Sequence, residues 1–189
     1  LYDPTLTLSV PIDITIQTGL DTLSHALESI WNKNANCITL GFATKSAKLI
    51  LNNLVLVANN LDNLNYRYNI MKGCMYAGLA FSNTQTAIAH AISYYITINK
   101  GVDHGIACSF TLPMLIDNVV GNYDFIDTAL FEIFGELSSQ YLRNIFKELN
   151  MSIEFEDYNV SKEEIEEIKL VLQNNQRATN SLISLDLLT

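Results

Sequence analysis

The 189-residue chain is 49% hydrophobic and has a net charge of −9, from 20 acidic and 11 basic residues. That length and apolar content suffice to bury a core, whereas the acidic balance argues against a nucleic-acid surface, which needs a basic patch. No uninterrupted apolar run reaches the ~18 residues of a membrane span, and no signal-peptide pattern is present. We therefore expect a cytoplasmic protein that binds neither nucleic acid nor membrane.

The predicted elements are helices from one end of the chain to the other, because apolar residues recur at three- and four-residue spacing. Strand-like alternation is confined to Leu6–Val10. We expect loops at residues 32–36, 99–103 and 121–124, where helix-breaking residues cluster. The predicted helices cover about residues 12–33, 37–59, 62–80, 83–98, 104–119, 124–149, 161–174 and 176–185. The fold class is therefore expected to be all-α, as one multihelical domain.

The three cysteines, Cys37, Cys74 and Cys108, are odd in number and widely spaced. Such spacing fits neither a disulfide framework nor a CxxC metal site, so we interpret them as small buried residues in a reducing compartment. Acidic residues concentrate at 132–136 and 154–167, where we expect solvated helix faces. Lys100 and Arg177 are the basic residues nearest to segments that would line a cleft, and we interpret both as exposed surface charges.

The chain has three histidines, His25, His90 and His104. His25 follows Asp21 by four residues, which places both on one helix face, where they share a divalent ion or form an ordinary hydrogen bond. Alanines surround His90 and favour a buried position, where an imidazole needs polar partners. His104 stands at a predicted helix start, where a histidine alone is more often a surface or capping residue and Asp103 is a natural cap.

Together, one carboxylate and three imidazoles form a ligand set that suits Fe²⁺ or Zn²⁺. An ion held by Asp21, His25, His90 and His104, with room for a substrate oxygen, would act as a Lewis acid. A closed structural zinc site would use the same residue types. Spacing alone therefore predicts a metal site and leaves its role open.

Two separated motifs resemble signatures of the iron-containing alcohol dehydrogenases (group III). The likeness is strongest from Asp3 to about Pro113, and the second motif departs from the family's preference at Ala87 and Ile98. Residues 78–83, between the motifs, are also similar to the family. The first motif comprises Asp3, Pro11, Ile16, Thr18, Asp21-Thr22-Leu23 and Glu28, and the second comprises His90, Ser93-Tyr94 and Val102-Asp103-His104-Gly105-Ile106-Ala107.

The resemblance implies a helical C-terminal domain of the dehydroquinate synthase/iron-containing alcohol dehydrogenase superfamily. In that family an N-terminal α/β domain binds NAD(P), and the helical domain holds the metal. Residues 1–189 would be the helical domain, and the nucleotide-binding domain would be absent from this chain. The positions of Asp21, His25, His90 and His104 would bind Fe²⁺ (or Zn²⁺), and NAD(P)H would be bound mainly by the missing domain. The isolated chain is therefore expected to be inactive.

The reaction implied by the resemblance is the interconversion of a small alcohol and its aldehyde. The metal polarises the carbonyl or alkoxide oxygen, and the nicotinamide transfers hydride. Many members have a histidine four residues after the third ligand, and this chain has Tyr94 there, on the same helix face as His90. A tyrosine donates a hydrogen bond or relays a proton, although it ordinarily ionises only near pH ~10. Tyr94 is thus the catalytic candidate. The pair Ser93-Tyr94 resembles the sequence of reductases that act on small phosphonated aldehydes.

Two alternatives remain open. Glycerol dehydrogenase and dehydroquinate synthase share the architecture but use a three-ligand zinc site, whereas a fourth ligand favours the iron type. A non-catalytic helical module with a structural zinc site is the alternative of another class. In either enzymatic case the full-length protein is expected to be a homo-oligomer.

Overall fold

The computed structural model describes residues 2–184 and consists of helices joined by short loops. Within that range the extended pairing is an isolated β-bridge between Asn32 and Ser181, and the predicted all-α class is confirmed. The α-helices are α1 (Ile12–Ile30), α2 (Cys37–Asn59), α3 (Leu64–Thr84), α4 (Ile88–Lys100), α5 (His104–Ala107), α6 (Leu112–Val119), α7 (Asp124–Phe134), α8 (Gln140–Glu148) and α9 (Lys162–Gln173). Short 3₁₀ helices lie at Pro4–Thr7, Phe155–Tyr158 and Ala178–Asn180.

Helix α1 links the apolar core to the polar site. Leu20, Leu23, Leu27 and Ile30 recur at three- and four-residue spacing along it and are fully buried, as expected of an amphipathic core helix. The helix packs most extensively against α2 and α3, and it also contacts α4 and α5. Residues of α1 that face α4 and α5 are thus held in place by a large apolar contact on the rest of the helix.

Helix α2 is the most hydrophobic long element. It begins at a capping box in which Asn36 and Thr39 satisfy each other's backbone N–H groups. By length and composition it is apolar enough to cross a membrane, with a mean hydropathy of 1.2 over an 18-residue window. Half of that window is buried inside the fold, because α2 packs against α1, α3 and α7. Such burial is also typical of a core helix in a globular protein.

The later helices are shorter and pack onto this body. Helix α7 contacts α2, α8 contacts α2 and α6, and α9 contacts α4. Helix α9 begins at a capping box of Ser161 and Glu164. The expected solvated acidic faces are confirmed at Glu132, Glu136, Glu154, Glu163, Glu166 and Glu167, which are exposed, whereas Glu164 is partly buried.

Two long predicted helices are wrong, because each is a pair of shorter ones. The segment 104–119 is interrupted after α5, and α6 begins anew at Leu112 with Pro113 in its first turn, where a proline has no helical hydrogen bond to lose. The segment 124–149 breaks at Gly135, which ends α7 with a φ of 75°. Left-handed backbone at a glycine is a common helix terminator.

Three smaller predictions also fail. Leu6–Val10 is not a strand, because Asp3 caps a 3₁₀ helix over Pro4–Thr7 by accepting a hydrogen bond from the Thr5 N–H group at 3.0 Å. The helix predicted at 176–185 is only the 3₁₀ turn at Ala178–Asn180, and residue 185 lies outside the described residues. The break expected near residues 81–82 falls at 85–87 instead, where Gln85 adopts a φ of 66°.

Candidate metal centre

The four predicted ligands lie together where α1, α4 and α5 meet. The Nε2 atoms of His25, His90 and His104 lie 3.5, 3.3 and 3.7 Å from one oxygen, Asp21 Oδ1. Donors at tetrahedral corners around an ion, with bonds of about 2.1 Å, are ~3.4 Å apart, whereas a good N–H···O hydrogen bond is shorter. The three distances are therefore close to those expected between ligands of one ion, and they are long for hydrogen bonds to one carboxylate oxygen.

The ring of His25 is held by stacking. It lies between Phe81, with ring centroids 4.1 Å apart, and His90, with centroids 4.3 Å apart. Its Nδ1 atom is buried and has no hydrogen-bond partner within the described residues. The i,i+4 relation with Asp21 and the flanking rings together direct its Nε2 atom toward the Asp21 carboxylate.

The ring of His90 is oriented by Glu28, which is fully buried. The Glu28 carboxylate lies 2.6 Å from His90 Nδ1 and also accepts hydrogen bonds from the backbone N–H groups of Ala87, Ala89 and His90. A proton on Nδ1 satisfies this carboxylate and makes Nε2 the nitrogen that faces Asp21, which is the usual role of an outer carboxylate at a metal-binding histidine.

The sequence analysis does not predict this role of Glu28, which stands there only as a residue of the first motif. The available signal was its position: Asp21, His25 and Glu28 stand at i, i+4 and i+7 of one helix, so they share a face. The predicted burial of His90 is confirmed, since the residue is 2% exposed.

Two carboxylates, the partly buried Asp21 and the fully buried Glu28, concentrate negative charge at this point. Burial works to raise the pKa of Asp21, but hydrogen bonds and charge from His25 and His90 outweigh it and hold that pKa well below its usual value. Burial likewise opposes ionisation of Glu28, yet the charge of His90, with hydrogen bonds from it and from Ala87, lowers the pKa of Glu28. The carboxylates thus stay ionised and attract a cation.

The histidines respond in opposite directions. Burial alone lowers the pKa of His90, but the charge of Glu28 and hydrogen bonds to Asp21 and Glu28 raise it to about 9. Burial, ahead of the neighbouring charges, lowers the pKa of His104. His104 is therefore a neutral imidazole at neutral pH, which is the form that binds a metal.

Helix α5 is pressed tightly against α1. A Cβ atom on Gly105 would lie 1.9 Å from the carbonyl oxygen of Gln17, so only glycine fits there. The predicted capping role of Asp103 is wrong, because its side chain forms no cap bond and instead accepts a hydrogen bond from Gln17 Nε2 at 2.7 Å. Both contacts fix the position of His104 relative to Asp21.

The cysteine prediction is correct for one residue of three. Cys37 and Cys74 are exposed, whereas Cys108 is buried; all three are free thiols. The Cys108 Sγ atom lies 3.4 Å from Asp21 Oδ1, so its thiol contacts the cluster rather than only apolar side chains. Burial raises the pKa of Cys108 well above its usual value, and the Asp21 charge adds to this effect.

Tyr94 lies at the open edge of the cluster. Its ring centroid is 6.2 Å from that of His104, and the side chain is 40% exposed. The guanidinium carbon of Arg177 lies 4.8 Å from the centroid of the Tyr94 ring. Lys100 is not the exposed charge expected from the sequence, because it is partly buried and pairs with Glu164 at 2.7 Å.

A comparison with known families identifies the fold. The model of the C-terminal part of the Fe-containing alcohol dehydrogenase family matches residues 15–182. The chain belongs to the iron-containing alcohol dehydrogenase family. This membership bears out the resemblance seen in the sequence.

Individual family members are similar over different lengths. The 1,3-propanediol dehydrogenase of Citrobacter freundii is 34% identical over 138 residues, which are 72% of this chain and 35% of that protein. The sulfoacetaldehyde reductase of Bilophila wadsworthia is 26% identical over 201 residues, covering 95% of this chain and 52% of that protein. The chain thus spans about half or less of the length of these relatives.

Solved structures of the family share the arrangement of helices. The crystal structure of sulfoacetaldehyde reductase from Bifidobacterium kashiwanohense in complex with NAD⁺ matches with a TM-score of 0.87 at 27% sequence identity. The match covers 98% of this chain and 51% of that chain. The helices of this chain are therefore arranged as they are in about half of that reductase chain.

Proposed function

We propose that the chain is the metal-binding domain of an NAD(P)-dependent alcohol dehydrogenase or aldehyde reductase. The observation that carries the proposal is the convergence of three imidazole Nε2 atoms on Asp21 Oδ1, at 3.3–3.7 Å. Asp21, His25, His90 and His104 would hold the ion. Fe²⁺, or Zn²⁺, would supply Lewis-acid polarisation of a carbonyl or alkoxide oxygen. Membership of the family supports the reaction class.

The exposure of the four residues supports a catalytic rather than a structural site. His90 is nearly inaccessible, whereas the side chains of Asp21 and His104 are 32% and 43% exposed. A structural zinc site is closed by its ligands, whereas a catalytic one keeps a side open to substrate. The cluster therefore has a buried floor of His90 and Glu28 and an open edge beside Tyr94.

Tyr94 is the residue that we assign to the substrate oxygen. It stands one turn after His90 on α4, next to His104. Its hydroxyl would donate a hydrogen bond to that oxygen, or relay a proton to it from solvent, when the aldehyde is reduced. The hydride would come from NAD(P)H bound mainly by a nucleotide-binding domain, which agrees with the chain spanning about half the length of its relatives.

The metal centre is tested on the chain itself. We expect the chain, purified without oxygen, to contain one iron or zinc per molecule by mass spectrometry of the metal content. Asp21→Asn and His90→Gln should lose it, and Asp13→Asn, an exposed change on the same helix, should keep it. Absence of bound metal from every preparation, including chain refolded with Fe²⁺ or Zn²⁺, would contradict the proposal.

The reaction is tested on the protein encoded by the full reading frame. That protein should oxidise NADH or NADPH in the presence of short aldehydes, and Asp21→Asn should abolish turnover. The isolated chain should show no such oxidation. A full-length protein that holds metal but reduces no aldehyde and oxidises no alcohol would instead support the structural zinc module. We further expect this protein to be cytoplasmic, since a free buried thiol suits a reducing compartment. We also expect it to be a homo-oligomer.

Arg177 favours a substrate with an anionic end. Within residues 2–184 it forms no ion pair with a carboxylate, and it lies over Tyr94 at 4.8 Å. The sulfoacetaldehyde reductases similar to this chain are named for an aldehyde with such a group. We infer that Arg177 contacts the sulfonate, or a similar anionic group, of a short aldehyde.

This refinement predicts a selective loss. In the full-length protein, Arg177→Gln should lower kcat/KM for sulfoacetaldehyde by about tenfold or more, the cost of one hydrogen bond to a charged group. The same change should leave kcat/KM for propanal within about twofold. Arg143→Gln, which removes a cation paired with Asp117, serves as the control. Equal losses on both aldehydes would show that Arg177 does not contact an anionic group of the substrate.

A further inference from the structure

Two short helical stretches face each other across the cluster, and each presents two donors one turn apart. On α1 these are Asp21 and His25, and on α5 and the residue that ends it they are His104 and Cys108. Residues four apart on a helical turn lie on one face. Cys108 is therefore placed relative to His104 as His25 is placed relative to Asp21.

The sulfur lies among the other donor atoms. Cys108 Sγ is 3.4 Å from Asp21 Oδ1, and the donor atoms of Asp21, His90, His104 and Cys108 all lie within 4.8 Å of one another. Two donors on opposite sides of one ion, with bonds of about 2.1 and 2.3 Å, are ~4.4 Å apart. A shift of a few tenths of an ångström would therefore bring all four donors onto one ion.

Hydrogen bonds hold the backbone of Cys108 against α1. Ser24 Oγ donates to the Cys108 carbonyl oxygen at 2.8 Å and lies 2.9 Å from Ser109 Oγ, which donates to the Leu20 carbonyl oxygen at 2.9 Å. All of these side chains are buried. The Cys108 backbone, and with it the position of the thiol beside Asp21, is thus fixed by a buried polar network.

We propose that Cys108 is a further ligand of the metal ion, additional to Asp21, His25, His90 and His104. The inference rests on the proposed metal centre. Binding would form a metal–sulfur bond and release the thiol proton to solvent, with no change of oxidation state. A thiolate is a soft ligand and favours Zn²⁺ over harder cations. The centre would therefore retain Zn²⁺ more tightly than an all-nitrogen-and-oxygen site would.

The sulfur ligand has its own spectroscopic signature. Chain reconstituted with Co²⁺ should show a near-ultraviolet sulfur-to-cobalt charge-transfer band, which nitrogen and oxygen ligands do not produce. Cys108→Ser should abolish this band, and Cys74→Ser and Cys37→Ser, which change exposed thiols, should keep it. X-ray absorption of the Zn²⁺-loaded chain should show one sulfur at about 2.3 Å besides nitrogen and oxygen at about 2.0–2.1 Å.

Affinity gives a second readout. Cys108→Ser should weaken Zn²⁺ binding by at least about tenfold, while circular dichroism of the variant stays that of the wild type. Cys108→Ala serves if the serine variant fails to fold. A Co²⁺ or Zn²⁺ complex of the wild-type chain without a sulfur ligand would overturn the Cys108 assignment and leave the metal centre intact. Absence of metal binding by every variant and by the wild type would overturn both.

Discussion

The helices up to residue 119 and the helices after it bury different kinds of side chain. In the first region, α1 and α4 bury Ser24, Glu28, Ser29, His90 and Ser93 alongside their apolar residues. Beyond Thr111, the buried polar residues of the described chain are only Ser139 and Ser181. Burying a polar group costs free energy unless it is hydrogen-bonded. Helices that serve packing alone therefore avoid such groups, as α7, α8 and α9 do.

The difference shows what the two regions contribute. The first region carries a polar network whose members are positioned by one another, and this network contains all the proposed ligands. The second region supports it from outside, through Lys100–Glu164 between α4 and α9 and through Arg177 over Tyr94. Disrupting a polar contact should accordingly cost far more in the first region than in the second.

The largest expected effect is that of Glu28→Gln. This change removes the charge that pairs with His90 and leaves buried donors poorly matched, which costs about 3–5 kcal/mol for a broken buried ion pair. The free energy of unfolding from urea titration measures it, and metal content should fall in parallel. Glu132, on α7, forms an exposed ion pair with Lys48, and Glu132→Gln should cost less than about 1 kcal/mol. Similar losses of stability at both positions would contradict the expected difference between the two regions.

Metal removal should come next in size. A ligand present at 100 times its Kd stabilises the folded state by about 2.7 kcal/mol, so a chelator should lower the Tm of the metal-loaded chain. The Asp21→Asn variant lacks the site and should show no such change. If the chelator lowers the Tm of both proteins equally, the stabilising ion is bound elsewhere.

Gly105→Ala should have a smaller effect on stability, together with a specific loss of metal. The new methyl group meets the Gln17 backbone rather than a flexible side chain, and such overpacking costs about 1–3 kcal/mol. Because α5 must move away from α1, His104 would leave the cluster. Gly78→Ala has open space around its Cβ position and is the matched control, which should keep the metal.

The smallest effect concerns Tyr158, in the second region. Burial, with a smaller contribution from Asp157, raises the pKa of Tyr158 to about 12. Since this acid ionises less readily in the folded protein than at its ordinary value of about 10, its contribution to stability is complete below pH 10 and is lost as pH rises toward 12. Ultraviolet titration of Tyr158→Phe should lack this late-ionising group.

The free energy of unfolding of the variant should also fall by about 1 kcal/mol, since Tyr158 donates a hydrogen bond to the Ser152 carbonyl oxygen at 2.8 Å. An unchanged titration would show that another tyrosine is the late one.

Sequence reasoning succeeded where one helix decides the geometry. The spacing of Leu20, Leu23 and Leu27 predicts the buried face of α1, and the spacing of Asp21 and His25 predicts a shared face, because both follow from 3.6 residues per turn. The same periodicity along the whole chain predicts the all-α class, and the family resemblance then implies the type of helical domain. The helix end at Gly135 is marked in the sequence only by a single glycine between two apolar stretches, so the periodicity predicts one helix where there are two.

What depends on several helices could not be predicted. The contact between Cys108 and Asp21 arises from the close approach of α5 to α1, and no spacing along the chain reports that approach. The break at Gln85 is likewise fixed by tertiary contacts, since no glycine marks its positive φ. The Arg177–Tyr94 contact joins residues far apart in the chain and depends on where the last 3₁₀ turn packs.

The bonds of Glu28 have a kinetic consequence. Its carboxylate holds both the His90 ring and the backbone N–H groups at the start of α4, so the ring and the first helical turn are released together. Local opening of a helix end exposes its amides to exchange with solvent. The amide hydrogen of Ala89 should therefore exchange only when the Glu28–His90 contact opens, so its exchange rate measures how firmly the His90 ring is held.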